Sequence, residues 1–469
     1  MQNQYDAIVI GAGMSGLAAG IRLAMFDKKV CILEKHRIPG GLNSYYQRRN
    51  ETKGGIRKFD VGLHALTNYV PRGAKNKPLT KLLKQLRLNY DDLKLCPQTH
   101  SLIHFPEVQL KFSNNFEELR QEVEIKFKDH YQEFLSLVDY INNFNELDLG
   151  LEYRSAKGVL REMISSELLV EMIICPLLIY GSAWEDDMDF AQFVIMFKSL
   201  YYEGFARPEG GVRTILDLLV KKFEELGGEL RYRQGVEKIL VESNKVVGVK
   251  TEKGEELRTS KILSSMGYPE TVDVLSDQSL FEKKPAIGPM TFMETIIVFD
   301  KKIPLEQNDS TIIFYNNSEK YHYTKAENFF DDRSAVVCFP DNYEPEKREG
   351  EGIVRITFMA KYEDFKALER LDYKAKKEEA FEASYKLFQK LVPGFDGKIL
   401  FKDVFSPTTI ERYTWHKRGT IYGSTDKTRD GRTPIEGLYI IGTDQGFLGI
   451  VGAILSGISM ANLHGLMES

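Results

Sequence analysis

The run Tyr5-Asp6-Ala7-Ile8-Val9-Ile10 leads directly into Gly11-Ala12-Gly13-Met14-Ser15-Gly16, and a second apolar run, Val30-Cys31-Ile32-Leu33, ends on Glu34. Strand, glycine turn, helix, strand and carboxylate follow in the order that a nucleotide-binding βαβ unit needs. Gly11 permits the tight turn, Gly13 lets a pyrophosphate rest on bare backbone, and Gly16 lets the helix lie close on the sheet. The helix N-terminus adds free N–H groups and a partial positive charge. Glu34, 18 residues past Gly16, can accept hydrogen bonds from both ribose hydroxyls and would repel a 2′-phosphate. A glycine turn alone is weak; in register with its strands and carboxylate it points to a dinucleotide.

At 469 residues the chain exceeds one ordinary core, so two or three domains are expected. An apolar share of 42% and a charged share of 28% are those of a globular protein. A net charge of −5 argues against general nucleic-acid binding. Between Gln47 and Tyr90, however, eleven Lys or Arg face only Glu51 and Asp60. There Leu79, Leu82, Leu83 and Leu86 recur at helical spacing among Lys77, Lys81 and Lys84. That pattern fits a surface helix with a solvated basic face, or a helix lying on an anionic membrane. Cys31, Cys96, Cys175 and Cys338 have no metal-ligand spacing and read as buried thiols of a reducing compartment. No leader is expected before the first strand, and the longest apolar run, Met172 to Tyr180, is short of the ~20 residues of a span. A cytoplasmic, peripherally membrane-associated protein is the expectation.

Further along, about Lys75 to Tyr202 reads as mainly helical, with one helix starting near Asn114 and carrying Leu119, Val123, Phe127, Phe134, Leu137 and Ile141. Glu167 to Tyr180 reads as a helix broken at Pro176. Pro208-Glu209-Gly210-Gly211 opens another helix, and strands follow near Val236, Val246 and Ile262. A second sheet is expected from Phe292–Phe299, Ser310–Tyr315, Ala335–Phe339 and Ile353–Phe358. The chain closes on Leu438-Tyr439-Ile440-Ile441 and the turn Gly442-Thr443-Asp444. The fold class is α/β: a Rossmann-like domain from segments 1–70, 205–268 and 420–469, an inserted α+β substrate domain at 269–419, and a helical lid or membrane-facing region at 71–204. Nucleotide-type signals at the start, middle and end suit FAD better than NAD. Gly40-Gly41 offers a second backbone approach to the phosphates, and Val236 offers backbone to adenine. Asp444 is placed to bring a carboxylate to the ribityl hydroxyls, next to a helix N-terminus at the flavin O2 edge.

The chain resembles the flavoprotein family of phytoene desaturases, carotenoid isomerases and retinol saturases, related more distantly to amine oxidases. The resemblance spans nearly the full length. It rests on Gly11–Gly16, Glu34 with Gly40-Gly41, Phe59-Asp60-Val61-Gly62, Pro208–Gly211, Ser406-Pro407 through Gly423, and Leu438 through Gly452. Leu42-Asn43 follows the double glycine where amine oxidases place Arg, and Gly62-Leu63-His64 resembles the Gly-Ile-His of retinol saturases. The resemblance implies an FAD site that also uses Lys35, Leu42, Gly62, Leu63, His64, Met266, Thr443, Gly449, Ile450 and Val451. It further implies a hydrophobic tunnel, peripheral membrane binding, and polyene or isoprenoid lipid substrates, with the electron partner left open.

Neither a nucleophile triad nor a metal motif is present, so the flavin would exchange hydride while the protein aligns the substrate and moves a proton. His64 is the first candidate for the proton, since its ordinary pKa is near neutrality; a core histidine is the alternative. Trp184, Arg207, Glu209, Tyr413 and His416 are candidate pocket residues, and the stretch Phe190 to Phe205 is either a tunnel wall or core. Three readings stand: an FAD oxidoreductase acting on carbon–carbon bonds of a polyene by saturation, desaturation or isomerisation; a flavin amine oxidase; and a non-catalytic lipid escort sharing the fold of Rab GDP-dissociation inhibitors.

Overall fold

The computed structural model describes residues 3–467, apart from 52, 63, 147, 149 and 348. Four-residue runs of Ala, Ile, Val and Leu with both faces covered form the centre of a parallel sheet, as all-buried strands do. Its order is Leu438–Ile440, Ile262–Ser264, Ala7–Ile10, Val30–Leu33, Glu229–Arg231. The start, middle and end of the chain thus meet in one sheet. The opening helix Met14–Ala24, with Val212–Glu225 and Gly449–Met460, packs on one face. A three-stranded antiparallel sheet, Val236–Glu242, Lys245–Thr251 and Glu256–Arg258, belongs to the core on the other. Gly16 is the point of closest approach: a Cβ there would sit 1.9 Å from the Gly11 carbonyl oxygen.

The second sheet has seven strands in the order Ile399–Phe405, Phe292–Phe299, Gly352–Ala360, Phe330–Cys338, Ile312–Asn316, Ser101–His104, Gln109–Phe112. Arg370–Leu391 lies against one face, and the helical block packs with residues of the other.

Several expectations need correction. The stretch from Lys75 to Tyr202 is mainly helical as expected, but Ser101–His104 and Gln109–Phe112, which were not foreseen, extend the second sheet. The helix expected from Asn114 to Ile141 is two, Phe116–Lys126 and Tyr131–Asn143, parted where Phe127 leaves helical geometry. Its cap is Asn115, whose side chain accepts from Glu117 N at 3.2 Å. Pro176 does not break Glu167–Gly181; nearly all of that helix is buried, and packing outweighs the one lost backbone bond.

Pro78–Leu86 is the basic helix, and all four of its leucines are buried with the opening and closing helices. The apolar stripe that a membrane-lying helix would insert is therefore already used, and the surface-helix reading fits. The stretch Gly449–Met467 is, at 19 residues and mean hydropathy 1.5, long and apolar enough to span a membrane by length and composition. Here its first part is a core helix packed on Met14–Ala24. Cys31, Cys175 and Cys338 are buried thiols, while Cys96 is half-buried.

Candidate functional site

A cavity of about 1100 Å³ lies between the two sheets, above the ~300–1,000 Å³ usual for a small-molecule site. Its lining comes from both ends of the chain: Gly11, Gly13, Met14, Ser15, Glu34, Lys35, Gly40, Gly41 and Leu42, then Gly62, His64, Val236, Met266, Gly442, Thr443, Gly449 and Ile450. Two helix N-termini reach it. Neither Met14–Ala24 nor Gly449–Met460 has a side-chain cap or an acidic residue in its first turn, so their leading N–H groups are left for a ligand. At Gly13 a Cβ would meet no protein atom closer than 4.0 Å, and at Gly41 none within 4 Å; both positions are kept bare towards open space. Glu34 holds Ala12 N and His36 N at 2.8 Å each, and its carboxylate keeps lone pairs for a ribose. Val236 begins the outermost strand of the three-stranded sheet, whose outer side is paired further along, where Ile239 N donates to the Val274 carbonyl and the Ile239 carbonyl accepts from Ser276 N. Lys35 pairs with Glu252 and lies under the Trp415 ring. Such a cradle fits the phosphates, ribose and rings of FAD.

Not every residue assigned to the cofactor reaches the cavity. Ala12, Gly16 and Val451 lie in the packed layer behind it, and Leu63 lies outside the described residues. Asp444 is turned away: its carboxylate accepts from Tyr268 N at 2.6 Å and Ser424 N at 2.7 Å, and faces Lys427 at 3.3 Å. It fastens the 423–428 loop, leaving the ribityl contact without this carboxylate.

Beyond the cradle, His64 sits against the second sheet. Its Nε2 is 3.3 Å from Glu294 and 3.2 Å from the Thr357 hydroxyl. Arg355 donates to Glu294 at 2.7 Å and also to the Val61 carbonyl. Arg207 donates to the His64 carbonyl at 3.1 Å and pairs with Asp60. Burial is the largest influence on His64 and holds its pKa below the usual value, against the pull of Glu294. Burial works to raise Glu294, but Arg355 and His64 bring it below the ordinary range. At neutral pH the cluster is thus a carboxylate, a guanidinium and a neutral imidazole, better suited to accept a proton than to give one.

Glu294, Thr357 and Arg355 were absent from the sequence-based candidates. One signal for Glu294 was available: it is the sole charge in the eight-residue strand Phe292–Phe299. The apolar wall is Ile179, Tyr180, Phe292, Val336, Ile421 and Tyr422, also unassigned beforehand. Trp184 instead packs on Tyr153, and Phe190, Phe193, Phe197, Tyr201 and Phe205 are buried in the helical core; core was the alternative reading for them. Arg207 borders a second, smaller cleft behind the His64 wall, and Glu209 is exposed and paired with Lys347 at 2.6 Å. Neither lines the main cavity. Tyr413 lies exposed at its rim and His416 is buried in its lining.

The sequence pattern of the family described as flavin containing amine oxidoreductase matches residues 14–463. The chloroplastic prolycopene isomerase of Daucus carota is 26% identical over 98% of this chain and 80% of that protein. The all-trans-retinol 13,14-reductase of Danio rerio is 24% identical, over 98% of this chain and 85% of its own. An oxidoreductase from Methanosarcina mazei superposes with a TM-score of 0.68 at 18% identity, covering 97% of this chain and 99% of that one; at that identity the likeness is one of fold.

Proposed function

Because this chain belongs to the flavin containing amine oxidoreductase family, we propose that it acts on carbon–carbon bonds of a hydrophobic polyene or isoprenoid lipid, by saturation, desaturation or isomerisation. The protein is an oxidoreductase and its cofactor is FAD. One observation carries the substrate class: the inner cavity is apolar, and every carboxylate lining the cavity is already partnered. Glu34 holds two backbone N–H groups, Glu294 holds Arg355, Asp403 faces Arg48 and Lys377, and Glu411 accepts from Tyr362. A cationic amine reaching the inner end of the cavity would meet Glu294, which Arg355 already holds. A polyene needs no anion. The named relatives, a prolycopene isomerase and a retinol reductase, support the same reading.

FAD, when bound, supplies the hydride exchange. The chain's own part is to exclude water, align the polyene between Tyr180, Phe292 and Tyr422, and take up or return a proton at His64. Glu294, 3.3 Å away, stabilises the imidazolium formed when His64 is protonated. Activity that requires neutral His64 is expected to fall on the acid side with a midpoint below about 6.5. A pH profile of kcat/KM measures this; an acid limb unchanged in His64→Gln would remove His64 from the reaction.

The function is tested by mass spectrometry of lipid extracts from cells expressing the protein or its Glu34→Ala variant. The expected product gains two hydrogens, loses two, or is an isomer of unchanged mass, and declines in the variant. Extracts without a changed polyene would overturn the reading. For the membrane, the buried stripe of Pro78–Leu86 leaves charge alone to attract an anionic surface. Liposome binding through Lys77, Lys81 and Lys84 is therefore expected to vanish near 1 M salt, where the Debye length is about 3 Å; binding that persists would mean an inserted apolar surface.

A further inference from the structure

We propose that the substrate carries an oxyanion end group, held at the outer edge of the seven-stranded sheet by Arg48 and Lys377, with its polyene chain running across the sheet into the apolar end of the cavity. This rests on the polyene reading and adds the polarity of the substrate and the direction in which it lies.

Strand register fixes the path. Val336 pairs with Thr357, Thr357 with Glu294, and Glu294 with Phe405. All four line the cavity, so they form one row across four adjacent strands. At the usual strand spacing the row is roughly 14 Å long. Ile179 and Tyr180 line the cavity with Val336, and His64 stands over the middle beside Glu294. At the opposite end, Phe405 belongs to the edge strand Ile399–Phe405, and Asp403 lies two residues along, on the same face. The two ends of the row therefore differ in chemistry, with the reactive cluster between them.

The edge has an excess of positive charge. Arg48, Lys366, Lys377 and Arg412 line it, against the carboxylates of Asp403 and Glu411. The ion pairs there are loose. Asp403 is 3.4 Å from Arg48 and 3.7 Å from Lys377, and Glu411 is 3.7 Å from Lys366. A tight charge-assisted bond is about 2.7–2.9 Å. Arg412 has no carboxylate partner among the described residues. Tyr373, Thr408 and Thr409 add hydroxyl groups to the same end, and the Tyr373 hydroxyl lies 2.6 Å from that of Ser406. A carboxylate or phosphate arriving here can share Arg48 and Lys377 with Asp403, whose pairs with them are long and which also keeps the Val404 N–H at 2.9 Å. A wholly hydrocarbon substrate would leave this end unused.

The test titrates the FAD-loaded protein with all-trans-retinoic acid, retinyl phosphate, all-trans-retinol and the matching C20 hydrocarbon, following the flavin absorbance. The acid or the phosphate is expected to bind about tenfold more tightly than the alcohol, and whichever gains more identifies the oxyanion. The advantage should shrink with salt and fall to within about threefold in Lys377→Gln and Arg48→Gln, while a distant Lys386→Gln control keeps it. Flavin content should be unchanged in both variants. Equal binding of charged and uncharged probes would overturn this inference and leave the polyene reading standing. Loss of flavin in the variants would also overturn it, because the cations would then serve the phosphates of FAD. If none of the four probes perturbs the flavin, the polyene reading falls and takes this one with it.

Discussion

Glu294→Ala is expected to destabilise the protein by about 3–5 kcal/mol, because it leaves the Arg355 guanidinium buried without its carboxylate. The side chain of Arg355 is 3% exposed, so its charge stays largely desolvated when the carboxylate is removed. Thermal or urea unfolding of the flavin-free protein measures the change. Stability alone would not separate a structural pair from a working one, so the double variant Glu294→Met with Arg355→Met is the complement. Removing both charges together is expected to restore most of the stability, yet His64 would still lack the group that stabilises its protonated form. Recovered stability with lost turnover supports the assigned role; recovered turnover would make the pair structural only. The cluster also makes the fold acid-sensitive in two windows. Below about 6.5 the unfolded chain takes up a proton that buried His64 resists, so stability falls with pH. Further down, protonation of Glu294 removes the stability its depressed pKa represents.

The second large effect separates two glycines three residues apart. Gly13→Ala is expected to leave the flavin-free fold intact: its φ is −75° and the added methyl would lie 4.0 Å from the nearest protein atom. That methyl would stand where the pyrophosphate must rest, so FAD affinity should drop by at least about tenfold. Gly16→Ala is expected to do the reverse in order. Its methyl would lie 1.9 Å from the Gly11 oxygen, forcing helix and strand apart, with a stability loss of roughly 1–3 kcal/mol or more. Melting temperature without FAD and flavin content with it, measured on both variants, check the pair. A Gly13→Ala protein that keeps its flavin would count against the cradle.

The cradle was legible because its parts are contiguous: Gly11 to Glu34 contains the turn, the helix and the carboxylate, and local geometry assembles them. The cluster of His64, Glu294 and Arg355 was not. Glu294 and Thr357 meet only through the register of Phe292–Phe299 with Gly352–Ala360, and such doubly covered strands read as plain apolar runs. Asp444 stands at the expected turn, but its side-chain direction is set by Lys427 and the 423–428 loop, which spacing does not encode. The leucine stripe of Pro78–Leu86 was visible as a period; that the opening and closing helices cover it was not. Ser101–His104 and Gln109–Phe112 were missed because each is four residues long and joins a sheet whose other strands begin near residue 292.

In the proposed reaction FAD works on a polyene in a cleft closed by the two ends of the chain. The most direct measurement is anaerobic incubation of the FAD-reconstituted protein with a polyene, following the flavin spectrum together with the mass and isomer composition of the lipid. The expected result is a yellow protein that converts the polyene only when loaded with flavin. A protein that stays colourless after FAD is supplied, or a loaded one that returns the polyene unchanged with both oxidised and reduced flavin, would contradict it.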